Sequence, residues 1–196
     1  DDKEFYYMDD LISSFSLERV NKAGAVFDLQ KLNWLNAEHL RKKTNEELIL
    51  LLRDEIQKSK FKNHNFSDNF LILIIEAMRE RVSFVKEFID NCTYFYEAPV
   101  EYEQKSIEKN WKPETPEHLN KLKAEFASLI DPTKEDFEHA LSKISEEINV
   151  GKGKLIHPLR LAVSGQSTGP GMFDLLFILG KDEVVRRMET AIEKIK

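Results

Sequence analysis

The sequence predicts an all-α fold: a bundle of two small helical subdomains preceded by a short helical connecting segment. Three observations predict it. Apolar residues recur at the 3.6-residue period through most of the chain, and these runs are repeatedly introduced by a Ser, Thr or Asp of the kind that caps a helix. No stretch alternates apolar with polar residues for long enough to make paired strands. At 196 residues, 41% hydrophobic and 33% charged, the chain has enough apolar surface for a core and lies outside the composition of disordered segments.

In chain order, Asp9 to Phe15 and Ser16 to Lys22 read as two short helical pieces, the second capped by Ser16 and ended at Ala23-Gly24-Ala25. Asp28 caps the next helix, with Leu29, Leu32 and Leu35 or Leu40 turned inward. Its end, Arg41-Lys42-Lys43, is basic, which suits the negative end of the helix dipole. Thr44 with Glu47 forms a capping box before the stripe Leu48, Leu51, Leu52 and Ile56. Ser67 opens a helix buried through Phe70, Leu71, Ile74, Ile75 and Met78. Its continuation passes Val82, Val85, Phe88 and Ile89 to the aromatic run Tyr94-Phe95-Tyr96, which is expected to fill the core.

The polar run Glu101 to Pro113 connects two helical units. Thr115-Pro116-Glu117 then supplies a cap, a first-turn proline and a first-turn acid for a helix burying Leu119, Leu122, Phe126 and Leu129. Asp131-Pro132 breaks it. Thr133 and Asp136 start the next helix, with Phe137, Ala140, Leu141, Ile144 and Ile148 inward and Gly151 as its stop. A short helix begins near Pro158 and another near Pro170, the latter buried through Met172, Leu175, Leu176 and Leu179 and ended by Gly180. Asp182 caps the last, with Val184, Val185, Met188, Ile192 and Ile195. The expected units are residues 1–44 as connecting segment, 45–97 as first subdomain and 98–196 as second.

The most informative stretch is Lys152 to Gly180. Lys152, Lys154 and Arg160 carry three positive charges with no acid between Val150 and Leu161, in a chain of formal net charge −6. Residues 97–149 hold 13 acids and 7 bases, whereas residues 150–196 hold 5 acids and 8 bases, and local charge governs attraction to phosphate. Gly165, Gly169 and Gly171 open backbone conformations closed to other residues. Free N–H groups at the helix start near Pro170 favour a phosphate or a carbonyl-rich base edge.

The run Pro158-Leu159-Arg160-Leu161-Ala162-Val163-Ser164-Gly165, with Gly169-Pro170-Gly171-Met172-Phe173 and Leu179-Gly180-Lys181, resembles the C-terminal anticodon-binding region of bacterial glutamyl-tRNA synthetases, class I aminoacyl-tRNA synthetases. Val26 to Asn36 is similar to that family's segment joining catalytic and anticodon-binding parts. The resemblance implies recognition of the glutamate tRNA anticodon by a non-catalytic module of an enzyme that joins glutamate to tRNA with ATP and Mg. It implies base contacts at Arg160, Gly169, Pro170 and Met172, with weaker candidates at Gln166 and Ser167. An arginine after the apolar helix, Arg81 or its neighbour Arg79, would distinguish the last anticodon letter. Lys152 and Lys154 supply phosphate attraction, and Arg41, Lys42 and Lys43 would face the inner corner of the tRNA. Implied partners are that tRNA and the catalytic part of the same protein, in a cytoplasmic monomer. A helical protein-interaction module, using the acidic residues 97–147 and the aromatic run, is the alternative.

Other chemistries find no support in the residues. Cys92 is the sole cysteine and has no local partner, and the five histidines lack metal-ligand spacing, so neither a catalytic thiol nor a metal is expected. The Gly165-to-Gly171 loop lacks the Lys-Ser/Thr ending of a phosphate-binding loop, and Ser164-Gly165 lacks the strand that a nucleophile elbow needs. The catalytic signatures of class I synthetases are absent. The chain opens Asp1-Asp2-Lys3, which suggests an excised fragment, expected to be inactive alone and to need no cofactor. Its longest apolar run, Phe70 to Ile75, is far below the ~20 residues of a membrane span.

Overall fold

A computed structural model describes residues 4–20, 24 and 26–195. Among these the chain forms twelve α-helices and no strand: α1 Met8–Ser14, α2 Leu29–Arg41, α3 Asn45–Lys58, α4 Asp68–Met78, α5 Glu87–Asp90, α6 Thr93–Tyr96, α7 Gln104–Asn110, α8 Thr115–Ser128, α9 Lys134–Glu147, α10 Gly153–Ser164, α11 Met172–Leu179 and α12 Lys181–Lys194. Their starts follow the capping residues. Asp28 accepts from the N–H groups of Gln30 and Lys31, Ser67 from that of Phe70, and Thr44 and Thr133 form capping boxes with Glu47 and Asp136.

Several boundaries differ from the sequence expectation, each for a local reason. Leu17–Arg19 forms only a 3-10 turn, because the Ser16 side chain makes no capping bond. The stop expected at residues 23 and 25 lies outside the described residues. α4 does not continue into α5: a 3-10 turn at Arg79–Arg81 and extended Val82 intervene. Thr115 is already helical and buried, its Oγ1 accepting from the Lys112 N–H at 2.9 Å, so Glu114 flanks the helix instead. α9 ends before Gly151, at Ile148 followed by left-handed Asn149. α10 begins at Gly153, and Pro158 lies inside it, which forfeits only the bond to the Lys154 carbonyl one turn back. α11 begins after Pro170, at Met172, and Gly180 rather than Asp182 precedes α12.

The buried side chains form one connected cluster from Leu40 to Ile195. α8 packs on α12 and α9, α10 on α12, α7 and α8, and α11 on α9; α3 and α4 pack on each other, and α4 meets α11. Tyr94, Phe95 and Tyr96 are buried, as expected, and Cys92 is fully enclosed beside them. Burial raises the Cys92 thiol pKa to about 12. Ile49 is buried where Leu51 was expected, and Leu29 and Leu32 are 64% and 43% exposed. Periodicity identifies an apolar stripe but not the element that covers it.

One buried cation locks the bundle. Arg187 of α12, 3% exposed, donates from Nη1 to the carbonyls of Tyr94 at 2.6 Å and Val163 at 2.8 Å, and from Nε to Glu183 at 2.6 Å. Both carbonyls lie in the last turns of α6 and α10, where a helix leaves its C=O groups without internal partners. The guanidinium therefore satisfies two helix ends and ties three helices at once.

Candidate nucleic-acid interface

The loop between α10 and α11 is built by its glycines and by α7. Gly165 ends α10 at φ +75°, and a Cβ there would lie 2.7 Å from the Glu101 carbonyl, so only glycine fits. Its carbonyl accepts from the Glu103 N–H at 2.9 Å, while the Glu103 carboxylate accepts from the Ser167 N–H at 2.9 Å. Gly169 has φ +153°, and a Cβ there would lie 3.0 Å from Arg160 Nη1 and 3.2 Å from the Tyr94 hydroxyl.

This loop closes one side of an open cleft of about 400 Å³. Gln166, Thr168 and Gly169 form that side, and Met78, Arg81, Asp90, Asn91 and Tyr94 the other. The structure separates the two arginines left open by the sequence. Arg79 is half-buried and donates to the Asn45 side chain, whereas Arg81 is exposed and lines the cleft.

Arg160 departs from the free cation expected from local charge. Its Nη2 donates to the Pro170 carbonyl at 2.8 Å, and its buried Nη1 has no hydrogen-bond partner among the described residues. Burial lowers its pKa; the Tyr94 hydroxyl opposes that shift and nearby Arg81 adds to it. The guanidinium thus braces the loop directly behind Gly169. Pro170 and Met172, expected as surface against a base, are buried beneath the loop. Ser167 is exposed but turned toward Glu103, and Thr168 lines the cleft instead. Asp90, Asn91 and Thr168 had no signal in the sequence beyond their proximity to a helix end and a glycine.

The other expected contacts fall elsewhere. The N-terminus of α11 is not an open anion site, because Asp174 stands in its first turn, close against Gly171 and paired with Lys134 at 2.5 Å. Arg41 pairs with Glu38 and Glu80, Lys43 with Glu47 at 3.3 Å, and Lys42 lies 3.5 Å over the Phe5 ring, so that triplet is largely engaged within the chain. Lys152 and Lys154 are exposed at the start of α10, with about 12 Å of helix rise between Lys152 and Arg160. No three His, Cys, Asp or Glu side chains converge as a metal site among the described residues. The loop follows a helix and lacks the lysine that holds nucleotide phosphates, so ATP has no fitting cradle in it.

An all-helical scaffold that opens an arginine, amide side chains and a glycine loop onto one polar cleft has the makings of a helical RNA-reading module. The anticodon binding domain family matches residues 29–192, and the chain belongs to that family. It is 38% identical over 201 residues to the glutamate–tRNA ligase of Chloroherpeton thalassium, covering 99% of this chain and 40% of that protein. The corresponding ligase of Phocaeicola vulgatus is 34% identical over 197 residues, covering 100% and 38%. A glutamate tRNA ligase from Elizabethkingia meningosepticum, solved with its amino acid, superposes with a TM-score of 0.91 at 33% identity, over 99% of this chain and 38% of that one. The glutamate-tRNA synthetase of Elizabethkingia anophelis superposes with 0.86 at 31% identity, over 98% and 37%. The chain thus spans about two fifths of the length of these relatives.

Proposed function

We propose that this chain is the C-terminal anticodon-reading part of a glutamate–tRNA ligase, a cytoplasmic enzyme that joins glutamate to its tRNA with ATP and Mg. Residues 1–44 serve as the segment facing the tRNA stem and the catalytic part, and 45–97 and 98–196 as the two anticodon-binding units. The observation that carries the reading is the convergence of Arg81 with Gln166, Thr168 and Gly169 around one open cleft. Those groups come from the two proposed units, so the cleft exists only when both are folded together.

An unpaired base has its Watson–Crick edge free, and the planar guanidinium of Arg81 offers donors to it. Gly169, lacking a side chain, lets the loop backbone close onto Arg160 and the Tyr94 hydroxyl at the edge of the cleft. Arg160 holds the loop in place through the Pro170 carbonyl, and Tyr94 forms the floor. The burial of Tyr94, Phe95 and Tyr96 removes the aromatic surface that a protein-interaction module would have used.

Titration with anticodon stem-loops carrying the glutamate or the glutamine anticodon tests the reading. Arg81→Gln is expected to reduce the preference between them by about 5- to 150-fold, the range of a base-reading arginine. A variant as selective as the wild type would remove Arg81 from recognition, and absence of stem-loop binding to the wild type would overturn the function.

A further inference from the structure

A second cleft, of about 290 Å³, opens between α7, α8 and α10, at the end of α10 remote from Arg160. Its walls carry Lys109, Lys112, His118, Lys154 and His157 against a single acid, the exposed Glu114. Lys109 and Lys154 are exposed and form no ion pair among the described residues, and Lys112 Nζ reaches only the neutral carbonyl of Glu108, at 2.8 Å. The larger cleft of about 740 Å³ beside α12 differs in this respect. Its two cations, Lys181 and Arg186, already pair with the carboxylates of Asp182 and Glu183.

A cleft walled by one sign of charge focuses its field outward. Here two helix dipoles add to it, because α8 and α10, of 14 and 12 residues, both begin at the cleft with their positive ends toward it. The bond from the Lys112 N–H to Thr115 Oγ1 fixes the backbone at the bend between α7 and α8. The only aromatic rings lining the cleft are the imidazoles of His118 and His157, set among three lysines. The donors suit a phosphate.

We propose that this cleft is a phosphate site that takes a backbone phosphate of the RNA whose base occupies the Arg81 cleft. The RNA assignment rests on the anticodon reading; the phosphate chemistry rests on the cleft alone. From Lys154 to Arg160 α10 rises about 9 Å, so one helix serves both clefts, Lys154 lining this one and Arg160 backing Gly169 in the first.

The test uses the 196-residue chain and the double variant Lys109→Ala/Lys154→Ala, whose two side chains are exposed. Inorganic phosphate is expected to shift the His118 and His157 ring signals of the wild type and not those of the variant. The logarithmic salt dependence of stem-loop binding is expected to fall by about 1 to 2 in slope on loss of the two cations. No response of either histidine to phosphate would overturn the site. A variant slope equal to that of the wild type, with Arg81→Gln still losing discrimination, would overturn the RNA assignment and leave the anticodon reading standing. Failure of the wild type to bind the stem-loop while phosphate still moves both histidines would overturn the RNA assignment and the anticodon reading together.

Discussion

Replacing Arg187 by Met keeps most of the side-chain volume and removes the guanidinium. The carbonyls of Tyr94 and Val163 then lose a charged donor at 2.6 and 2.8 Å inside the core, where water does not substitute. A hydrogen bond to a charged group is worth about 1.5–3 kcal/mol. The ion pair with Glu183 adds little to the loss, because that carboxylate keeps Arg186 at 2.6 Å. The sum is about 3–6 kcal/mol, which overlaps the range of about 3–5 kcal/mol found when one partner of a buried charged pair is removed. For a chain of this length that corresponds to a fall of about 10 °C in Tm, read by far-UV circular dichroism and by urea titration. Arg186→Ala, on the exposed side of the same helix, is expected to cost under about 0.5 kcal/mol. A loss below about 1 kcal/mol for Arg187→Met would refute the argument that Arg187 holds the helix ends together.

Gly169→Ala places a methyl group 3.0 Å from Arg160 Nη1 at a strained φ, so stem-loop affinity is expected to fall with a stability loss of about 1–3 kcal/mol; equal affinity would place RNA elsewhere. The Glu183 carboxyl is held below its ordinary 4.5 chiefly by Arg186, with Arg187 contributing. A depressed folded-state pKa stabilises the fold above the ordinary carboxylate range, and that contribution is lost as pH falls through the folded value. Glu183→Gln should therefore flatten the fall of Tm below about pH 4.5, and parallel acid profiles for the two proteins would refute this. Thr133→Ala removes the oxygen that accepts the Asp136 N–H at 3.2 Å, and urea denaturation should show a loss of about 1 kcal/mol. No change would mean that the capping box is not populated in solution.

What the sequence made legible was local. Asp28, Thr44, Ser67 and Thr133 announce helix starts because each cap bonds a backbone group two or three residues on. The expectations that failed needed knowledge of distant neighbours. Leu29 and Leu32 have the right period but no element among the described residues covers them, and Pro158 lies inside α10 at the loss of one backbone hydrogen bond. Within the site, the charge of Arg160 was visible, but not that its guanidinium would bond the Pro170 carbonyl ten residues away and stand behind the loop. Arg187 gave no sign at all, since its two carbonyl partners lie 93 and 24 residues back along the chain.

The enclosure of Cys92 makes it a silent reporter. A thiol that is sealed from solvent and raised to about 12 is neither ionised nor reachable by an alkylating reagent near neutral pH. Each tagging event thus counts one excursion in which the helical turns around Tyr94 come apart. A molecule seated on that tyrosine would slow the tagging clock without any label having been engineered into the protein.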